Sequence, residues 1–184
     1  MRKNWAALAL TGMLCLTTFA GTQTVSAETA DSAKQVDIVF THDTHSHLNT
    51  FTTIVDEAEK EVGGFARINT LIQEQKAKNP DTLVLDGGDF SMGTLIQTVF
   101  ETQAAEIRML GYMGCDVTTL GNHEFDYRSK GLANMLNSAA ESGDDLPAMV
   151  VCNVDWESRE AAGLSEGQQL IRDEFEEYGV SDYV

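Results

Sequence analysis

Chemistry-capable residues gather in three short segments. In Thr41-His42-Asp43-Thr44-His45-Ser46-His47, Asp43 and His45 stand two apart. In extended chain they would point to one side, so a carboxylate and an imidazole would converge as half of a metal site. Alone, an Asp-x-His tripeptide is common and says little. In Asp86-Gly87-Gly88-Asp89-Phe90 the glycines let the backbone turn sharply and present Asp89. The two oxygens of one carboxylate can bridge two cations. The other reading is an ordinary turn in which Asp89 caps a helix. In Gly121-Asn122-His123-Glu124-Phe125-Asp126 the Asn122 amide oxygen is a neutral metal donor. His123 and Asp126, three apart, meet if a helical turn starts here. A carboxylate on one ring nitrogen would fix the tautomer and raise the basicity of the other, making a general acid for a leaving oxygen. The other reading is a capped helix start.

Each segment follows a β-rich run. These runs cover residues 36–41, 82–86 and 117–120, and a fourth covers 148–153. They show little polar alternation, as expected of strands covered on both faces. Helical stripes lie between them: Phe65, Ile68, Leu71 and Ile72, ended by Asn79-Pro80; then Phe100, Ala104, Ile107 and Leu110; then Leu132, Met135, Leu136, Ala139 and Ala140. Met109, Met113 and Met135 read as core filler. Strands alternating with helices predict an α/β fold on a largely parallel sheet. In such sheets ligands bind outside the carboxyl ends of the strands, where all three segments fall. Beyond Asp155 the sequence turns acidic. A helix is predicted over 170–178, with Asp173-Glu174-Phe175-Glu176-Glu177 as a solvated face. Val180 to Val184 reads as the opening of a strand, and the chain as an incomplete gene product.

The 184 residues carry 12 Lys+Arg against 29 Asp+Glu, a net charge of −17, and are 42% hydrophobic with only 2 Pro. That composition is globular. The acidity argues against a nucleic-acid polymer and against anionic membrane surfaces, both of which need clustered bases. Small anionic substrates stay open, because metal ions can supply positive charge locally. Residues 1–27 read as a secretory signal peptide: Arg2-Lys3, an uncharged apolar run, then Val25-Ser26-Ala27 as the cleavage box. The alternative is a membrane anchor, which so short a run disfavours. The protein is therefore expected to be exported, without stable membrane insertion. Cys115 and Cys152 are expected to stay unbridged, since parallel strands would hold them at opposite ends of the sheet. The sequence does not address oligomeric state.

Taken together, the order of the three segments, their placement after successive strands and their ligand types resemble the calcineurin-like metallophosphoesterases. The likeness is sharpest to the 5′-nucleotidase and 2′,3′-cyclic phosphodiesterase branch. Val62-Gly63-Gly64-Phe65-Ala66-Arg67, Ser91-Met92-Gly93-Thr94 and the stretch from Leu110 to Asp126 carry it further. The resemblance implies the N-terminal half of an αββα sandwich, with mainly parallel strands and flanking helices. Residues 35–184 would form an incomplete catalytic domain after a short leader at 28–34. The family's late histidine ligands and its nucleotide-binding domain are absent from this sequence. The resemblance further implies two divalent metal ions, Mn, Zn, Fe or Co. Asp43 and His45 would hold the first, Asp89 would bridge both and Asn122 would hold the second. His123, oriented by Asp126, would act as acid or contact the phosphoryl group while a metal-hydroxide attacks phosphorus in line. No role is assigned to His42 or His47: each could touch a metal-holding residue or the phosphate, but the main reading is a surface or hydrogen-bonded histidine. The implied substrate is a small phosphate ester such as a nucleotide, with a sulfur ester as a related possibility. No histidine follows His123, and two metals need about four donors each. The polypeptide is therefore expected to be catalytically poor or inactive by itself. The alternative is an inactive exported metal-binding or surface-interaction module.

Overall fold

The computed structural model describes residues 36–184. The predicted signal peptide and the whole leader lie outside the described residues. In chain order the elements are β1 (Ile38–Thr41), β2 (Phe51–Val55), β3 (Ala58–Val62), α1 (Phe65–Lys78), β4 (Leu83–Asp86), a 3-10 turn (Leu95–Val99), α2 (Phe100–Gln103) and α3 (Ala105–Tyr112). Then come β5 (Val117–Thr118), a second 3-10 turn (His123–Phe125), α4 (Arg128–Ala140), β6 (Ala148–Met149), α5 (Trp156–Ala162) and α6 (Glu166–Tyr178).

The sheet is parallel throughout, in the order β1-β4-β5-β6. Each connection between neighbouring strands carries at least one helix, which is the crossover that parallel pairing requires. One sheet face packs on the helices. Val84 and Met149 join Phe65, Ile72, Phe90, Phe100, Ile107, Leu110, Leu132 and Met135 in one buried core. The opposite face is open, with Ile38 55%, Phe40 60% and Leu83 43% exposed. The expectation of strands covered on both faces is thus corrected. The apolar run is real, but among the described residues no layer lies on that side.

Other differences have local causes. Strands β5 and β6 are two residues long rather than four and six, because the chain leaves the ladder to build loops at the carboxyl edge. The stripe from Phe100 to Leu110 is fully buried, but its backbone breaks at Ala104, whose φ of 46° ends α2 and begins α3. In α1, Leu71 is 60% exposed; it sits one residue from Ile72, about 100° round the helix and off the packed stripe. The β2–β3 hairpin was not legible. Its turn uses Asp56 and Glu57, both at positive φ, without the glycine or asparagine that usually marks such a turn. Helix α6 begins at Glu166, earlier than predicted, because Ser165 and Gln168 form a capping box. Ser181 pairs in parallel with Val150, continuing the sheet beyond β6. Cys115 is buried, Cys152 is exposed and both are free, as expected. Met113 and Met135 are core residues and Met109 packs against the core. Among the described residues no helix is long and apolar enough to cross a membrane.

Candidate metal centre

The loops after β1, β4 and β5 meet at the carboxyl edge of the sheet. Backbone bonds dock the first loop on the second: the N–H groups of Asp43, His45 and Ser46 donate to the carbonyls of Gly88, Asp89 and Phe90 at 3.0, 3.1 and 2.8 Å. The second loop docks on the third. Gly88, at φ 85°, leaves no room for a side chain, since a Cβ there would lie 2.6 Å from the Gly121 nitrogen. A Cβ on Gly121 would lie 2.1 Å from Asp89 Oδ1. Gly121→Ala is therefore expected to cost about 1–3 kcal/mol of stability and to push the Asp89 carboxylate away. Calorimetric unfolding together with a metal titration would check both effects.

This docking brings His45, Asp89 and His123 together, with one donor atom of each within 4.8 Å of the others. His45 Nδ1 faces the Ser91 and Met92 carbonyls at 3.1 and 3.0 Å. The proton must sit on that nitrogen, so Nε2 keeps its lone pair for a cation. Asp43 Oδ1 lies 3.5 Å from His45 Nε2, and its other oxygen pairs with His42 Nδ1. The convergence of Asp43 and His45 is as expected, but its geometry is not. The two residues take left-handed backbone, φ 52° and 44°, rather than extended chain. His42 holds the Asp43 carboxyl below its ordinary value, mainly through that hydrogen bond. His47 sits over Phe51 with its Nδ1 at the Thr44 carbonyl, a hydrogen-bonded surface histidine as expected.

Asp89 Oδ1 accepts the His123 backbone N–H at 2.9 Å. The Asn122 amide lies beside Asp89 Oδ2. With its nitrogen toward the carboxylate it donates at 3.2 Å, and its oxygen accepts from the His123 N–H at 3.3 Å. Turned the other way, two acceptor oxygens face each other, an arrangement that a shared cation would stabilise. His123 Nδ1 meets Asp126 Oδ2 at 2.8 Å, and its ring stands edge-on to His45, 4.9 Å between centroids. The Asp126 bond, opposed by desolvation, raises the His123 pKa above its ordinary value. Two imidazoles with oriented lone pairs, a carboxylate and an amide oxygen are a donor set that suits a divalent transition metal.

Two buried carboxylates were missed by sequence reading. Glu124, fully buried, accepts from the backbone of Asp89, Ser91 and Gly121 at 3.0, 3.0 and 2.7 Å and from Ser91 Oγ at 2.7 Å. Asp86, almost fully buried at the end of β4, accepts from Thr41 Oγ1, Thr118 Oγ1 and the Gly88 N–H, tying three strands together. Burial pushes its carboxyl up, against the pull of those donors. Only the acidic identity of these two positions inside their motifs could have flagged them. A cleft of about 660 Å³ beside Arg108, Tyr112 and Asp144 contains none of the donors. The metal-capable cluster instead lies on the open edge of the sheet, where the topology of the fold places ligands.

A parallel α/β sheet with histidine and carboxylate donors on its carboxyl edge defines the class: an α/β scaffold able to hold a metal ion. The chain belongs to the calcineurin-like phosphoesterase family, whose model matches residues 36–178. Over 107 residues it is 35% identical to a probable 5′-nucleotidase of Treponema pallidum, covering 56% of this chain and 18% of that one. Over 151 residues it is 31% identical to a 5′-nucleotidase-related protein of Glossina morsitans morsitans, covering 78% and 26%. Its fold is similar to the solved 5′-nucleotidase precursor of Thermus thermophilus, with TM-score 0.57 and 32% identity over 68% of this chain and 23% of that one. It is also similar to the NAD nucleotidase of Haemophilus influenzae, with TM-score 0.55 and 28% identity over 64% and 20%. The chain thus spans about a fifth to a quarter of the length of these relatives.

Proposed function

We propose that this chain carries the N-terminal part of a dimetal centre for hydrolysis of nucleotide or related phosphate esters. The observation that carries the reading is the approach of His45, Asp89 and His123 donor atoms within 4.8 Å. Asp43 and His45 would hold one ion, Asn122 another, and Asp89 both. Bound divalent ions supply Lewis-acid stabilisation of phosphoryl charge and a nucleophile at neutral pH. The protein's own part is orientation. The Ser91 and Met92 carbonyls hold His45 in its ligating tautomer, and Asp126 orients the His123 ring. With Nδ1 held by Asp126, His123 Nε2 is free to carry a proton to a leaving oxygen or to meet the phosphoryl group. These donors do not fill two coordination spheres of about four each. The 184-residue polypeptide is therefore expected to bind metal better than it turns over substrate.

The test has two parts. Titration of the chain with Mn²⁺ or Co²⁺ should show binding, and Asp89→Ala should weaken it by about 100-fold. The product of the complete reading frame, supplied with Mn²⁺ or Zn²⁺, should release phosphate from a nucleoside monophosphate. Phosphate release at an unchanged rate in Asp89→Ala would sink the assignment. Binding without phosphate release from any phosphate ester would favour the metal-binding module instead.

Export is also proposed, on the strength of residues 1–27. The intact mass of the protein recovered outside the cytoplasm should begin at Glu28. A product that retains Met1 would refute this.

A further inference from the structure

The loop that carries Asp43 and His45 is strained. Asp43, His45 and Ser46 all hold left-handed backbone, with φ of 52°, 44° and 55°. Such residues persist only where their surroundings over-determine them. Part of that support is the backbone docking described above, and part is the Thr94 hydroxyl, which donates to the Ser46 carbonyl at 2.7 Å. The remaining support comes from the interior. Ser46 is fully buried, and its Oγ donates to Glu106 Oε1 at 2.6 Å.

Glu106 is an unusual core residue. It sits in the first turn of α3, fully buried, and its second oxygen, Oε2, has no hydrogen-bond partner. A buried carboxyl with half of its oxygens unmet is costly, and an apolar residue of similar volume would serve a core better. The hydrogen bond its side chain does make runs to the residue that follows His45.

From this geometry we infer that Glu106 is a positioning residue: through Ser46 it holds the backbone of His45 where the imidazole can ligate. The inference deepens the metal-binding reading and rests on it.

The test is Co²⁺ binding by the full chain, followed by calorimetry and by the visible ligand-field bands, alongside thermal unfolding. Ser46→Ala and Glu106→Ala are each expected to weaken Co²⁺ binding by about 10–100-fold and to shift the bands. Because the two act as a unit, the double variant should bind no worse than the weaker single. Glu106→Gln leaves an acceptor for Ser46 Oγ but buries an unmet amide. It should unfold at lower temperature while keeping wild-type affinity and bands. If Glu106→Ala is less stable but binds Co²⁺ with unchanged affinity and bands, Glu106 is only a core residue and the inference is overturned. Should Glu106→Ala fail to fold, Ser46→Ala, which removes one oxygen atom, decides alone, and unchanged binding overturns the inference. A wild-type chain with no Co²⁺ bands removes the metal reading itself and this inference with it. Bands in the wild type that persist in every variant remove only the inference.

Discussion

Replacing His123 by alanine in the product of the complete reading frame should lower kcat for phosphate release by about 10²–10⁴-fold, the range for removing a positioned general acid. The geometry supports so large an effect because two neighbours prepare the ring. Asp126 Oδ2 holds Nδ1 at 2.8 Å, and the backbone N–H of His123 is anchored on Asp89 Oδ1 at 2.9 Å. Losing the ring therefore leaves a site whose other donors are still in place, and metal binding should fall far less than the rate. Asp126→Asn should cost less, about 10–100-fold, since it disturbs the tautomer and leaves the ring present. The same substitution has a signature in pH. Asp126 is the main cause of the raised His123 pKa, so its removal should move the imidazole titration, followed by NMR on the metal-free chain, back toward the ordinary value. The sign for stability follows from the same shift. The contribution of the His123–Asp126 bond is whole below the ordinary imidazole pKa and is lost as pH rises through the raised one. Both groups are exposed, so that contribution is small. Steady-state rates of the two variants decide the matter, and an unchanged rate in His123→Ala would remove the general-acid role.

The largest stability loss is expected at a residue whose side chain touches neither a metal-donor side chain nor substrate. Glu124→Ala should destabilise the domain by about 4 kcal/mol, a fall in Tm of roughly 10 °C. Glu124 accepts the Asp89, Ser91 and Gly121 amides, and it also takes the Ser91 hydroxyl. Each unmet buried donor costs about 1–3 kcal/mol, and water entering the vacated space offsets part of the sum. Glutamine should cost about half as much. Its oxygen can keep the Asp89 and Gly121 amides, and its nitrogen can donate to a turned Ser91 hydroxyl, leaving the Ser91 amide unmet. Metal affinity should fall with stability in the alanine variant, because the same amides hold Asp89 and Gly121 in register. Thermal unfolding of the three proteins in parallel is the check. Equal stabilities would mean that the two loops are held together by other contacts.

Much of the site is legible in the sequence. Asp43, His45, Asp89, Asn122, His123 and Asp126 do meet at the carboxyl edge of a parallel sheet, as their placement after successive strands predicts. The contact between His123 and Asp126 follows from their spacing of three on a helical turn, observed as the 3-10 turn His123–Phe125. The manner in which Asp43 and His45 converge is not legible. Alternation along extended chain predicts the same convergence by a different backbone, and the left-handed residues that produce it carry no glycine to announce them. The hairpin turn at Asp56-Glu57 escapes for the same reason. The break at Ala104 escapes because an unbroken stripe of apolar residues looks the same whether the helix is continuous or kinked.

What the sequence determined by itself is therefore periodicity and chemistry: which runs become strands and helices, which residues can ligate or move a proton, and which family they resemble. Those follow from local spacing and side-chain type, and both are written residue by residue. What only the tertiary structure decided is which distant groups share the interior. Glu124 joins the loops after β4 and β5, Asp86 ties β1, β4 and β5 together, and Glu106 reaches Ser46 across 60 residues of chain. A buried carboxylate and an exposed one are the same letter in a sequence. The difference between them is the set of donors that folding brings within hydrogen-bond distance, and no local pattern contains it.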